Sequence, residues 1–160
     1  MARPLAQRLL IRADQRILVL DAPSRYIDSL DPRPDGVVVD TEPAHGVRYD
    51  GVHLFAADQD AVARGTPRAL SALRDGGVLW IAYPKLSGPV HSDLTRDRGW
   101  EPLVSVGWDG IAQVSVDDTW SAMRFRPTED VTYTPGSTRR PPASRRALRE
   151  QASDRRLRGV

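Results

Sequence analysis

The chain contains no cysteine, which excludes a disulfide framework, a thiolate metal site and a cysteine nucleophile together. It has one lysine, Lys85; the other 22 of its 23 basic residues are arginine. Its three histidines, His45, His53 and His91, show no paired ligand spacing, so no metal site is expected. No apolar run approaches the roughly 20 residues that cross a bilayer. Met1 to Arg8 lack a long apolar segment ending at small residues, which predicts no secretory signal and a cytoplasmic place. There is no Walker loop, and Ser121 has no Gly-x-Ser-x-Gly elbow around it, which argues against a P-loop NTPase and a hydrolase triad. The most consequential absence is local. The loop after the first clear strand, Asp21-Ala22-Pro23-Ser24-Arg25-Tyr26, contains no glycine.

What is present describes an ordinary globule with an unusual end. At 160 residues, with 40% hydrophobic and 28% charged side chains, the chain suits a single domain with a proper core. The net charge of +2 conceals an asymmetry: residues 138–160 hold eight arginines and two acids, giving +6 and leaving −4 for the rest. The expected organisation is a globule over 1–127, a Pro/Ser/Thr/Arg linker over 128–144 and a basic, helical tail over 145–160. Arginines release counterions from phosphates, so Arg139 to Arg158 are a candidate contact for nucleic acid or for a protein partner. No membrane partner is expected.

Inside the globule, Arg16 to Asp21 and Val37 to Val39 read as strands, with a short helix from Ser24 to about Leu30 between them. Tyr49 to Ala56 is a third strand. Asp58 to Arg74 has helical spacing interrupted by Gly65-Thr66-Pro67, which predicts one helix or two short ones. Gly76-Gly77 then feeds Val78-Leu79-Trp80-Ile81-Ala82-Tyr83-Pro84-Lys85, an apolar run typical of a strand buried on both faces of a parallel sheet. Ser92 is a plausible N-cap for a helix through Asp97. Gly110 to Val116 and Thr119 to Arg126 form a hairpin around Asp117-Asp118, with Trp120 and Ala122 on one face and Ser121, Met123 and Phe125 on the other. Leu5 to Ile11 fits a short helix or an edge strand.

This order of elements resembles the class I methyltransferase variant of the Rossmann fold over Arg16 to Arg126: an α/β, mostly parallel sheet ending in an antiparallel hairpin. The glycines that such a fold places after its first strand are missing. Asp40, about 20 residues beyond Asp21, stands where a ribose-binding acid is expected, although a turn or capping role accounts for it equally well. Lys85 lies at the carboxyl edge of the central strand, where open α/β sheets bind ligands. Asp118, Thr119 and Trp120 begin at the same edge, with Asp93 and Arg96 on the segment that follows Lys85. Together they could hold a small anionic or planar ligand, or simply form an ion pair beside a core tryptophan.

The blocks Leu79 to Lys85, Ser92 to Asp97, Gly99-Trp100 and Val116 to Arg126 also resemble a small bacterial family known as a domain of unknown function. That resemblance carries Lys85, Asp93, Arg96, Asp118, Trp120 and Ser121 as motif members without assigned roles. The glycine-free loop argues against a nucleoside cofactor. The expectation is therefore a non-catalytic binding or regulatory module with no cofactor. Its alternatives are a methyltransferase-like transferase acting at the carboxyl edge and an accessory nucleic-acid binder acting through the tail.

Overall fold

The computed structural model of the protein describes residues 3–130. The arginine-rich tail, and all of the expected linker beyond residue 130, lie outside the described residues. The chain runs α1 (Leu5–Arg8), β1 (Arg16–Leu20), α2 (Tyr26–Ser29), β2 (Val38–Asp40), β3 (Tyr49–Phe55), α3 (Gln59–Ala72), β4 (Leu73–Pro84), α4 (Glu101–Val104), β5 (Trp108–Ser115) and β6 (Trp120–Pro127), closing on a 3-10 turn, Thr128–Asp130. The strands form one sheet in the order β2-β1-β3-β4-β6-β5. β1 pairs in parallel with β2 and β3, and β3 with β4. β6 lies antiparallel between β4 and β5. The expected Rossmann-like α/β architecture is the one the chain adopts, and no helix among the described residues is long and apolar enough to cross a membrane.

β4 has layers on both faces, which is why its sequence does not alternate with polar residues. Leu79, Ile81 and Tyr83 pack with Val62 and Ala69 of α3 and Leu103 of α4. Trp80 and Ala82 point the other way, into a layer with Leu5 and Leu9 of the first turn and Tyr26 of α2. The Trp80 indole N–H donates to the Leu9 carbonyl at 2.9 Å, so the buried ring's polar atom is satisfied. The alternation expected along β6 also holds, with Ala122 in the second layer and Met123 and Phe125 in the first.

Three local expectations are corrected. Gly76 and Gly77 lie within β4 instead of preceding it. The strand begins at Leu73 opposite Tyr49, and the register shifts before Gly51 meets Val78. Gly76 has φ +75°, and a Cβ at Gly77 would stand 2.6 Å from Leu73 Cδ1, so the pair makes an irregularity that only glycine fits. Of the two outcomes open for Gly65-Thr66-Pro67, the structure takes the first: α3 is a single helix with Pro67 inside. The carbonyl that loses its partner belongs to Ala63, which is exposed and can bond water, while the Thr66 hydroxyl donates to the Val62 carbonyl at 2.7 Å. Finally, Ser92 caps no helix. Its hydroxyl donates to the Ala57 carbonyl at 2.6 Å and accepts from the Leu94 N–H at 3.0 Å, holding residues 92–98 as a loop with a Thr95–Arg98 bridge. The short helix expected from Ser24 is reduced to the single turn of α2.

Candidate functional site

The chain leaves β1 toward β2 on one side and returns to β3 on the other, so the switch of direction falls between β1 and β3. In open α/β sheets the crevice at the carboxyl end of such a switch is the ligand site. Here it is bordered by Asp21 after β1 and by Ala57 and Asp58 after β3, all exposed, with Glu42 exposed on the loop after β2. Asp21 adopts φ +59°, the left-handed conformation that aspartate tolerates better than most non-glycine residues. It makes the turn ordinarily left to glycine. Its carboxylate pairs with Arg68 of α3 at 2.9 Å, both side chains being about half exposed.

Asp40 is engaged elsewhere. Its carboxylate accepts from the Tyr49 hydroxyl at 2.5 Å and from Arg16 Nε at 3.1 Å, and it pairs with Arg16 Nη2 at 2.9 Å. The Tyr49 bond is the main reason that its pKa is held below the ordinary carboxylate range; the Arg16 hydrogen bond and charge add to it against a desolvation cost. A depressed carboxyl contributes stability that is complete above its unfolded pKa and disappears as the pH falls through its folded one. Replacing Tyr49 with Phe should therefore move the Asp40 titration, followed by carboxyl NMR, upward. An unmoved titration would remove Tyr49 as the cause.

The two strand ends expected to adjoin do so: Pro84 pairs with Trp120, and the Lys85 N–H donates to the Thr119 carbonyl at 2.8 Å. The side chains diverge. Trp120 packs edge-on against Phe55 at 5.1 Å, and Phe55 against Tyr26 at 4.5 Å, in the layer behind the sheet. Lys85 turns to the opposite face, where Nζ donates to Ser115 Oγ at 2.6 Å. Neither Asp117 nor Asp118 pairs with it; Asp117 Oδ1 accepts the Thr119 and Trp120 N–H groups at 2.8 Å each, and Asp118 is exposed. Asp93 serves α3, accepting from the Gln59 N–H at 2.9 Å.

What gathers around Lys85 is a polar row across three strands. Tyr83 on β4 lies opposite Ser121 on β6, and Ser121 opposite Ser115 on β5; residues in register share a face. Ser121 is buried among core residues, and Tyr83 is 3% exposed with a hydroxyl that makes no hydrogen bond of good geometry, Gln113 coming nearest to one. Gln113 and the charges of Arg96 and Asp97 act on that hydroxyl. Burial raises the Tyr83 pKa first, Arg96 lowers it, Asp97 raises it and Gln113 lowers it. Trp100 sets the geometry. Its ring meets Tyr83 edge-on at 5.4 Å, and its N–H donates to the Thr95 and Arg96 carbonyls at 2.8 and 3.1 Å. Of the residues singled out from sequence, Lys85 and Ser121 belong to this row and Arg96 acts on it through its charge, while Asp93, Asp118 and Trp120 do not take part. Tyr83, Ser115 and Gln113 were missed, although a serine on the core face of β6 was a signal available in the alternation.

No family model and no curated protein matches the sequence. The sheet order and its open carboxyl edge define a Rossmann-like fold of the methyltransferase kind. Among solved structures, the chain is similar to the complex of DhpI with SAH, at TM-score 0.53 and 15% identity over 78% of this chain and 82% of that one. A Thermoplasma acidophilum protein to which methyltransferase activity is ascribed gives TM-score 0.50 and 12% identity over 83% and 78% of the two chains. A Streptococcus agalactiae member of the NADB-Rossmann superfamily gives 0.51 and 8% over 84% and 71%. These likenesses overturn the expectation of a non-catalytic module without a cofactor, since the fold is shared with a structure that holds SAH. The part of the glycine argument that concerned the turn does not hold, because left-handed Asp21 makes it.

Proposed function

We propose that the protein is a methyltransferase-like transferase that uses S-adenosylmethionine at the carboxyl edge of the sheet. The observation that carries this reading is the exposed, left-handed Asp21 at the β1/β3 switch point. The cofactor has a sulfonium, an α-ammonium and a ribose diol, and the residues present suit it. Asp21, Glu42 and Asp58 are exposed carboxylates on the three loops leaving β1, β2 and β3, able to accept from hydroxyls and to offset positive charge. Asp40, turned toward Arg16 and Tyr49, takes no part. Pro23 gives the loop one N–H fewer than a glycine-rich turn would, so binding leans on carboxylates more than on backbone donors. Bound there, the cofactor would supply a methyl group for transfer to a nucleophile. The chain's own contribution is to hold donor and acceptor at neighbouring strand ends, the acceptor on the β4–β6 side beside Lys85. The blocks that resemble a small bacterial family of unknown function would then describe one unit: the central strand, the loop held by Trp100 and the hairpin around that acceptor position.

A thermal-shift titration tests this reading. S-adenosylmethionine or S-adenosylhomocysteine at a hundredfold excess over its Kd should stabilise the protein by about 2.7 kcal/mol. Glu42→Gln and Asp21→Asn should each weaken the effect. No stabilisation by either compound would refute the proposal.

A further inference from the structure

We propose that the row Tyr83, Ser121 and Ser115, with Lys85 above it and Arg96 beside it, binds a small molecule through an anionic oxygen group, a carboxylate or a phosphate. Naming that molecule the methyl acceptor rests on the transferase reading; the anion site itself does not. Lys85 and Arg96 are two cations with no carboxylate in ion-pair distance among the described residues, where every other close pair involves a different arginine. Lys85 rests on a neutral hydroxyl, Ser115 Oγ, and so keeps two further N–H donors. The Tyr83 hydroxyl is buried without a hydrogen bond of good geometry, Gln113 being the one side chain that approaches bonding it, a condition that a ligand oxygen would relieve. Ser121 and Ser115 add hydroxyls from the adjoining strands.

The surroundings favour an anion over other ligands. No group of acids able to hold a cation occurs among the described residues, and Asp97 is the one carboxylate acting on Tyr83. Trp120, the ring that would stack on a planar ligand, faces the other side of the sheet against Phe55. Arg96 is not adrift on its loop, because Trp100 holds the carbonyls of Thr95 and Arg96, and Gln59 ties Asp93 to the start of α3 through two hydrogen bonds of 2.9 and 2.7 Å. The loop thus keeps the Arg96 charge within electrostatic reach of a hydroxyl that the sheet has already buried.

Titration of the full chain with inorganic phosphate and, separately, with acetate, at constant ionic strength in chloride, tests the site through the Trp100 indole N–H resonance. At least one anion should shift that resonance saturably, and the arm that does so identifies the group. Lys85→Gln and Arg96→Gln should each weaken binding about tenfold, as loss of a charge-assisted bond requires, and Tyr83→Phe about threefold. Arg25→Gln, on the far loop after β1, should leave it unchanged. Non-saturating shifts with both anions, or equal affinities in wild type and all three site variants, would overturn the proposal. The cofactor titration stands apart: stabilisation by S-adenosylmethionine without anion binding removes this site alone. Anion binding without that stabilisation supports the site and removes only its acceptor role.

Discussion

Between pH 6.5 and pH 4 the protein should lose about 3 kcal/mol of stability through His53 alone. The side chain is 3% exposed on β3, and burial depresses its pKa from 6.5 to about 4. An unfolded chain would bind a proton at His53 well before the folded one does. Its contribution is therefore complete above pH 6.5, falls as the pH drops through the window and is exhausted below about 4; the width, at about 1.4 kcal/mol per unit, sets the size. The ring shares a 2.7 Å hydrogen bond between Nδ1 and the Tyr26 hydroxyl, and Tyr26 in turn packs on Phe55. Protonation thus strikes at the contact that secures α2 and the loop after β1. Urea unfolding followed from pH 7 to pH 4 should show the loss in wild type and a flatter profile in His53→Gln, which keeps a polar partner for Tyr26. An identical slope in His53→Gln would show that the loss comes from other groups.

Leu54→Ala should destabilise the fold by about 2–5 kcal/mol, as deletion of a buried leucine side chain does when its surroundings relax only in part. Leu54 is fully buried on β3, directly beneath α3. A Cβ added at Gly65 would lie 2.7 and 2.8 Å from its two terminal methyls. Gly65→Ala in wild type should therefore cost about 1–3 kcal/mol of overpacking, offset by up to ~1 kcal/mol of helix propensity. In the Leu54→Ala background the same change fills space instead of colliding. The double variant should be more stable than the two single losses predict, a coupling measurable by a denaturant double-mutant cycle. Strict additivity would mean that helix and strand do not meet at this pair.

That coupling illustrates why part of the fold was legible in the sequence and part was not. β1, β3, β4 and the hairpin could be read because each carries a local pattern, either unbroken apolar residues or strict alternation, that water alone imposes on a covered sheet. Gly65-Thr66-Pro67 left one helix or two open, because local propensity counts the missing N–H and carries no sign of Leu54, against which Gly65 packs closely. Ser92 was misread as a helix cap because its hydroxyl has an equally good local use, and the Ala57 carbonyl that claims it is 35 residues away. In the candidate site, Lys85 and Arg96 were visible as chemistry at a strand end. Tyr83 was not, because its place in the apolar run looked like core, and its unbonded hydroxyl becomes apparent only once the neighbouring strands are in register.

By itself, the sequence determined the class of fold, the central position of the strand ending at Lys85 and the adjacency of that end to Thr119. The strand itself follows from its hydrophobic period, which is local; the class and the adjacency follow from the resemblance of the element order to the methyltransferase variant of the Rossmann fold. Only the tertiary structure decided which faces the end residues share, because one residue of register moves a side chain across the sheet. It put Trp120 behind the sheet and Ser115, Ser121 and Tyr83 in front of it with Lys85. It also decided that a loop without glycine could make the turn at the switch point, through a backbone angle at Asp21 that no residue count reveals.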